Sequence, residues 1–241
     1  CIRDRVTLIQ ALSESLNVPT VRLGLKLGLP ALRDGFSKLG LERELKMQPS
    51  AFLGAVELTP AEVSQLYQVI ANKGRYIKLA SIESITKTDG TMLYQRRNIV
   101  QQRVTEEADY LLQYAMQQST RSGTSKILAN QFAGIRFAGK TGTSSDHKDS
   151  WFTGFEHESS VTVWLGRDDN KSIGLTGGSG ALTLFSQYFR TVPPNSLFRA
   201  IPPDVTLGRF SVTTGRPVAD DCDGSMLLPK VVSTTLITEC E

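Results

Sequence analysis

Apolar positions along this chain recur at two spacings, three to four residues apart in some stretches and two apart in others. Each spacing commits the backbone to a different element. Over residues 4–14, Val6, Ile9 and Leu12 mark one face of a helix, and the stretch Ser13-Glu14-Ser15-Leu16-Asn17 interrupts it with small polar groups. Pro19 suits the first position of a second helix, where its missing N–H costs nothing; Val21 and Leu25 continue a face, and Gly28 can take a left-handed cap. Pro30 opens a third helix with Leu32, Phe36 and Leu39 on one side, closed by Gly40. The clearest start signal is Leu58-Thr59-Pro60-Ala61-Glu62-Val63, in which Thr59 and Glu62 form a capping box, Pro60 takes the first position and Leu58 staples onto Val63. That helix runs to Gly74 with Val63, Leu66 and Ile70 inward.

From about Ile77 to Tyr94 the pattern turns to the strand period, and Asp89-Gly90 marks a hairpin. A helix at about 105–118 follows, with Glu106, Glu107 and Asp109 suiting its positive end and Ala108, Leu111, Leu112 and Ala115 on a face. Residues Ile135–Thr143, Ser150–Phe155 and Val161–Leu165 then predict an antiparallel three-strand unit. Gly174 to Gly180 reads equally as a cleft rim or a plain turn, and Ala181–Arg190 as a helix with Leu184, Phe185 and Tyr188 inward. Pro193-Pro194 and Pro202-Pro203 make 193–203 a linker between a domain at 1–192 and a small module at 204–241. Helices, then sheet, then a covering helix imply an α+β fold, an antiparallel sheet with helices on both faces.

With 241 residues, 40% of them hydrophobic, the chain can bury one large core. A net charge of +3, spread without a basic run, gives no footprint for nucleic acid. No apolar run approaches the roughly 20 residues that span a bilayer, and the start, Cys1-Ile2-Arg3, reads as the cut end of a longer polypeptide. Cys222 and Cys240 sit in a polar, turn-rich tail, where a disulfide closing their loop of about 17 residues would stabilise by roughly 3 kcal/mol. That pairing favours an oxidising compartment; two independent thiols are the alternative. His147 and His157 are isolated and no Cys/His spacing suits zinc, so neither metal nor cofactor is implied. Trp151 and Trp164 read as core, and Arg167-Asp168-Asp169 as a solvated hairpin end.

The chemistry concentrates in Gly139-Lys140-Thr141-Gly142-Thr143, a cation and two hydroxyls set among glycines on a strand. Residues 134–141 match the phosphate-loop pattern G-x-x-x-x-G-K-[ST], which alone would indicate a nucleotide-binding enzyme. Such a loop needs a buried strand before it and a helix N-terminus directly after its lysine, and neither flank fits. The other reading is serine acyl transfer, whose families combine S-x-x-K, S-x-N and K-T-G. Here Ser15-Leu16-Asn17 lies in a break between helices and Lys140-Thr141-Gly142 on a strand, in that order. Together with Val18-Pro19-Thr20, residues 58–63, the Arg121-Ser122-Gly123-Thr124 turn and Asp149-Ser150-Trp151-Phe152, these motifs resemble the transpeptidase domain of class A, bifunctional penicillin-binding proteins, nearest the 1b type of Gram-negative bacteria.

The resemblance implies peptidoglycan cross-linking on D-Ala-D-Ala stem peptides, with β-lactams as acylating mimics. Ser15 would relay protons and Asn17 hold the substrate amide. Lys140 would keep the site electropositive, the hydroxyls of Thr141 and Thr143 would grip the terminal carboxylate, and the Thr143 N–H would form half of an oxyanion hole. Gly142 would let the substrate strand approach the edge. The family's S-x-x-K lies upstream of S-x-N, and only 14 residues precede Ser15 here, none supplying it; Ser145-Asp146-His147-Lys148 has the pattern in the wrong place. The nucleophile is therefore expected on a companion segment outside this sequence. The whole protein is expected to carry a glycosyltransferase domain and a membrane anchor, to work on the periplasmic side of the inner membrane, and to have cell-wall synthesis regulators as candidate partners. A D,D-carboxypeptidase or β-lactamase is the enzymatic alternative, and a non-catalytic sensor domain of the same fold the alternative of another class.

Overall fold

The computed structural model describes residues 6–219 and 222–233. Its first three helices are α1 (Leu8–Ser13), α2 (Asn17–Leu27) and α3 (Leu29–Lys38). The second starts two residues earlier than Pro19 indicates, so Asn17 is already helical and only Glu14, Ser15 and Leu16 remain in the break before it. Pro30 likewise occupies the second position of its helix, not the first. In α4 (Pro60–Ala71) both halves of the capping box form: the Thr59 hydroxyl accepts from Glu62 N–H at 3.2 Å and the Glu62 carboxylate from Thr59 N–H at 2.8 Å.

The stretch after α4 is less regular than its pattern predicts. β1 (Arg75–Tyr76) pairs with β4 (Gln101–Gln102), and β2 (Ser84–Thr86) with β3 (Met92–Gln95) across the Asp89-Gly90 turn. Between β1 and β2 no strand continues, because glutamines of α4 take the backbone groups a sheet would use. The Gln68 side chain accepts from Ile77 N–H at 3.1 Å, and that of Gln65 accepts from Leu79 N–H at 2.8 Å.

Then come α5 (Glu106–Arg121) and α6 (Ile127–Gln131), followed by β5 (Ala138–Thr143), β6 (Ser150–Phe155) and β7 (Ser160–Leu165), an antiparallel sheet in that order. Helix α7 (Ala181–Thr191) and the hairpin β8 (Val205–Ser211) and β9 (Ser225–Val231) complete the described chain. The register sets Thr141 opposite Phe152 and Phe152 opposite Val163, which puts Phe137, Phe152 and Val163 on one face with α7. On that helix Leu182, Phe185 and Phe189 point inward at the i, i+3, i+7 spacing, whereas Leu184 and Tyr188, expected inside, are each 42% exposed. The opposite face buries Ala138 and Phe155 with Ile70, Met116 and Leu197.

On this second side the expectation for α5 changes in part, and the 193–203 stretch is packed. Of the α5 face expected from sequence, Ala115 is buried and Leu112 packs on the core, but Ala108 is exposed, and the buried positions are otherwise Asp109, Gln113, Met116, Ser119 and Thr120. Residues 193–203 contain no helix or strand, yet they are held. Leu197 is buried and its N–H donates to Arg136 O at 2.9 Å, and Arg199 forms a buried ion pair with Asp109. Burial pushes the Asp109 carboxyl up to about 6 despite that guanidinium.

Candidate active site

The first wall of the site is built by a helix ending in an unusual way. Leu16 N–H donates to Ala11 O at 2.9 Å and Ser15 N–H to Leu12 O at 3.2 Å. These two bonds make a Schellman motif whose left-handed residue, ordinarily glycine, is Ser15 at φ 56°. A side chain there costs about 1–2 kcal/mol. The strain holds an exposed hydroxyl on the outer side of the helix junction, which a glycine could not supply. Asn17 opens α2 beside it, exposed and without a hydrogen-bond partner for its amide among the described residues.

The second wall is β5, an edge strand. Its pairing beyond the strand end, Ser144 N–H to Asp149 O at 3.2 Å, fixes which backbone groups face outward. Hydrogen-bonded and non-hydrogen-bonded pairs alternate in an antiparallel ladder. With 144/149 bonded, the pairs 143/150 and 141/152 are of the other kind, so the N–H and C=O of Thr141 and Thr143 point away from β6 along the open edge. The pleat sends Lys140 to the side of α1 and α5. There its ammonium donates to Ser15 Oγ at 2.9 Å and to Thr141 O at 3.1 Å, joining the two walls. Burial lowers the Lys140 pKa from 10.5 to about 8.

A turn after α5 braces both walls. Thr124 N–H donates to Ser13 O at 3.0 Å, two residues before Ser15, and its hydroxyl lies 3.1 Å from that of Thr141. A Cβ on Gly123 would stand 2.1 Å from Ser13 O, so this close approach requires glycine. Farther along, Thr143 Oγ1 accepts from Gly177 N–H at 2.8 Å. Gly139 is needed for packing, since a Cβ would meet Phe152 and Thr153 at under 3 Å; at Gly142 the nearest atom is Trp151 Cβ at 3.2 Å.

The cleft thus offers a cation, three hydroxyls and outward backbone donors along one edge, an arrangement for an extended ligand ending in a carboxylate. The phosphate-loop reading fails on geometry: Lys140 lies within a continuous strand, and a 3₁₀ turn at Ser145–His147, not a helix, follows. Comparison with known families finds the penicillin-binding protein transpeptidase domain matched over residues 2–180.

The chain belongs to that transpeptidase family.

Relatives include penicillin-binding protein 1B of Vibrio cholerae, 41% identical over 94% of this chain and 29% of the relative, and that of Escherichia coli K12, 39% identical over 83% and 24%. This chain therefore spans a quarter to under a third of their length. Among solved structures, penicillin-binding protein 1A from Haemophilus influenzae superposes with a TM-score of 0.88 at 20% identity, covering 97% of this chain and 41% of that one. PonA1 from Mycobacterium tuberculosis in complex with penicillin V gives 0.68 at 20% identity, over 81% and 59%. These structural likenesses establish the penicillin-binding transpeptidase fold.

Of the site residues expected from sequence, Ser15 and Lys140 meet directly and Thr141 joins them through the ammonium at 3.5 Å, while Thr143 bonds to the glycine loop and Asn17 stands alone. The roles of Thr124 and Gly177 were not legible in the family motifs. The first sits in a turn quoted only for its resemblance, and the second in a loop read as equally a plain turn. Ser145 is exposed on a 3₁₀ turn with no helix to present it to Lys148. Trp151 and Trp164 pack on each other with centroids 6.1 Å apart, and Trp164 is 38% exposed with its indole N–H on Asp149, so it is a lid on the sheet face and not core. Cys222 is disulfide-bonded; Cys240 lies outside the described residues. No helix among the described residues is long and apolar enough to cross a membrane, and no cluster of metal-ligating side chains occurs among them.

Proposed function

We propose that this chain forms the substrate-binding half of a serine D,D-transpeptidase that cross-links peptidoglycan stem peptides, and that β-lactams enter the same groove as acylating mimics. The observation that carries the reading is the 2.9 Å bond from Lys140 to Ser15 beside an open strand edge. A D-Ala-D-Ala terminus lies along β5 as an added strand, its carboxylate against the hydroxyls of Thr141 and Thr143, with Gly142 allowing the approach and Asn17 holding the peptide amide. A serine of the S-x-x-K segment, which we assign to the remainder of the protein, attacks the carbonyl of the penultimate residue. The oxyanion that forms is held by the Thr143 N–H, a donor of a kind typically worth about 3–4 kcal/mol. The C–N bond then breaks as Ser15, taking up the proton released by the attacking serine, passes its own to the departing D-Ala amine, and an acyl-enzyme remains for the acceptor amine of a second stem peptide.

Lys140 supports this by position. Its ammonium donates to Ser15, and so leaves the Ser15 proton free for relay. A pKa of about 8 keeps it mostly charged at neutral pH yet able to exchange protons. We further propose that the whole protein, like the bifunctional class A proteins its motifs resemble, carries a glycosyltransferase domain and acts at the periplasmic face of the inner membrane.

The test is covalent labelling of the whole protein by a fluorescent penicillin. Lys140→Ala should reduce the acylation rate by roughly 100-fold or more, the scale of losing a key electrostatic contact at a reacting centre, with the melting temperature retained. Undiminished labelling would refute the role of the cleft.

A further inference from the structure

The glycine loop before α7 does more than connect two elements. Thr143 and Ser150 face each other across β5 and β6 with side chains on the α7 side, and the loop is bonded to both. Ser150, fully buried, donates its hydroxyl proton to Thr176 O at 2.7 Å and accepts from Ala181 N–H at 2.9 Å, clamping the two ends of the segment between them. Inside that clamp the backbone of Gly177 lies directly on the sheet, where an added Cβ would stand 2.5 Å from Gly142 O and 2.6 Å from Trp151 O. Glycine alone permits this seat, and from it Gly177 N–H reaches Thr143 Oγ1 at 2.8 Å.

A hydroxyl has one proton and two lone pairs. With Gly177 N–H occupying one lone pair, and no acceptor for the Thr143 proton among the described residues, the O–H is turned away from the loop, toward the open edge. We propose that Gly177, held in place by Ser150, is a positioning residue that fixes the Thr143 hydroxyl as a donor to the carboxylate of the ligand, which makes the Gly174–Gly180 loop part of the carboxylate subsite. Without this bond the rotor would be free to point its lone pairs at an anion. The inference rests on the proposed role of Thr143 in carboxylate binding, and adds what aims it.

The experiment compares acylation rates of the whole protein by a penicillin and by its methyl ester, which lacks the charge. Thr143→Val tests the underlying reading: the preference for the free carboxylate should fall by about tenfold, what one well-aimed hydrogen bond to a charged group is worth. Gly177→Ala keeps every hydroxyl but lifts the loop, and should lower the same preference comparably, with the ester rate little changed. Ser150→Ala, which frees the clamp without adding atoms, should give a smaller fall in the same direction. An equal loss of both rates in the Gly177 and Ser150 variants means that the loop is merely structural and overturns the proposal. An unchanged preference in both, beside a reduced one in Thr143→Val, overturns it while sparing the role of Thr143. If Thr143→Val itself leaves the preference intact, the carboxylate reading fails first.

Discussion

The two faces of the β5–β7 sheet are both closed over by helices, but by different means. Toward α7, three phenylalanines surround Phe185: Phe137 and Phe152 edge to face, the latter at 4.6 Å between ring centroids, and Phe189 tilted at 4.8 Å. Such contacts are short-ranged and indifferent to pH. Toward α5, buried polar side chains stand beside the apolar Ala115 and Met116. Asp109 is held by Arg199 and by Gln113 at 3.0 Å, Gln113 also donates to Ile70 O at 2.5 Å, and Thr120 donates to Phe137 O at 2.5 Å. These contacts are directional, so they fix the rotation and height of α5, and with it the turn at Gly123-Thr124 that braces both walls of the cleft. An aromatic face supplies cohesion, whereas buried polar contacts specify one arrangement at a cost in stability if any member is missing.

Damaging each side in turn separates the two faces. Phe185→Ala should destabilise by about 3–5 kcal/mol, equally at pH 5 and pH 7. Arg199→Met should cost a similar amount, about 3–5 kcal/mol at pH 7, because it leaves the Asp109 charge buried alone. Unlike the aromatic variant, it should recover much of that loss at pH 5, where Asp109 takes up a proton. Urea unfolding of the whole protein at the two pH values distinguishes them, and a pH-independent loss in the arginine variant would sink the distinction. In the native protein the sign follows from the shift: burial raises Asp109 from 3.8 to about 6, so its contribution to stability is present in full below about pH 4 and is lost as the pH rises through 6.

A smaller effect concerns Lys140 on the same side. Its pKa, lowered to about 8, means that the burial penalty applies in full below that pH and is relieved as the pH climbs toward 10.5. Acylation by a carboxylate-bearing penicillin should fall as the ammonium is lost above about pH 8. In Lys140→Arg, whatever its absolute rate, that fall should vanish, because the guanidinium stays charged. A shared alkaline fall in both proteins would assign the titration elsewhere. The smallest effect is at Ser15, where glycine should stabilise the domain by about 1 kcal/mol or less, by relieving the left-handed strain, while penicillin labelling is lost. Ser15→Ala, which removes the hydroxyl and retains the strain, should lose labelling without that gain; equal melting temperatures for the two variants would show that the strain is not stored there.

Much of this was written locally. The capping box at Thr59 and Glu62, the Asp89-Gly90 turn and the alternation through β5, β6 and β7 each depend on residues within a few positions of one another, and each forms as its pattern indicates. The motif residues Ser15 and Lys140 were legible too, because the chemistry of the site restricts which side chains can stand there. The polar part of the buried face of α5 was not. A stripe of Asp109, Gln113, Ser119 and Thr120 looks solvated until Arg199, ninety positions away, and the backbone of Ile70 and Phe137 supply its partners. The same holds for the strand lost after β1, displaced by glutamine side chains of α4, and for Gly177, whose need for a bare Cα appears only where a distant loop settles on Gly142 and Trp151. Elements whose energetics are local, and the candidate site residues Ser15 and Lys140, follow from the order of the chain alone. Only the tertiary structure decided which polar groups are buried and which glycines are obligatory, since both depend on atoms brought close by folding and not by the order of the chain.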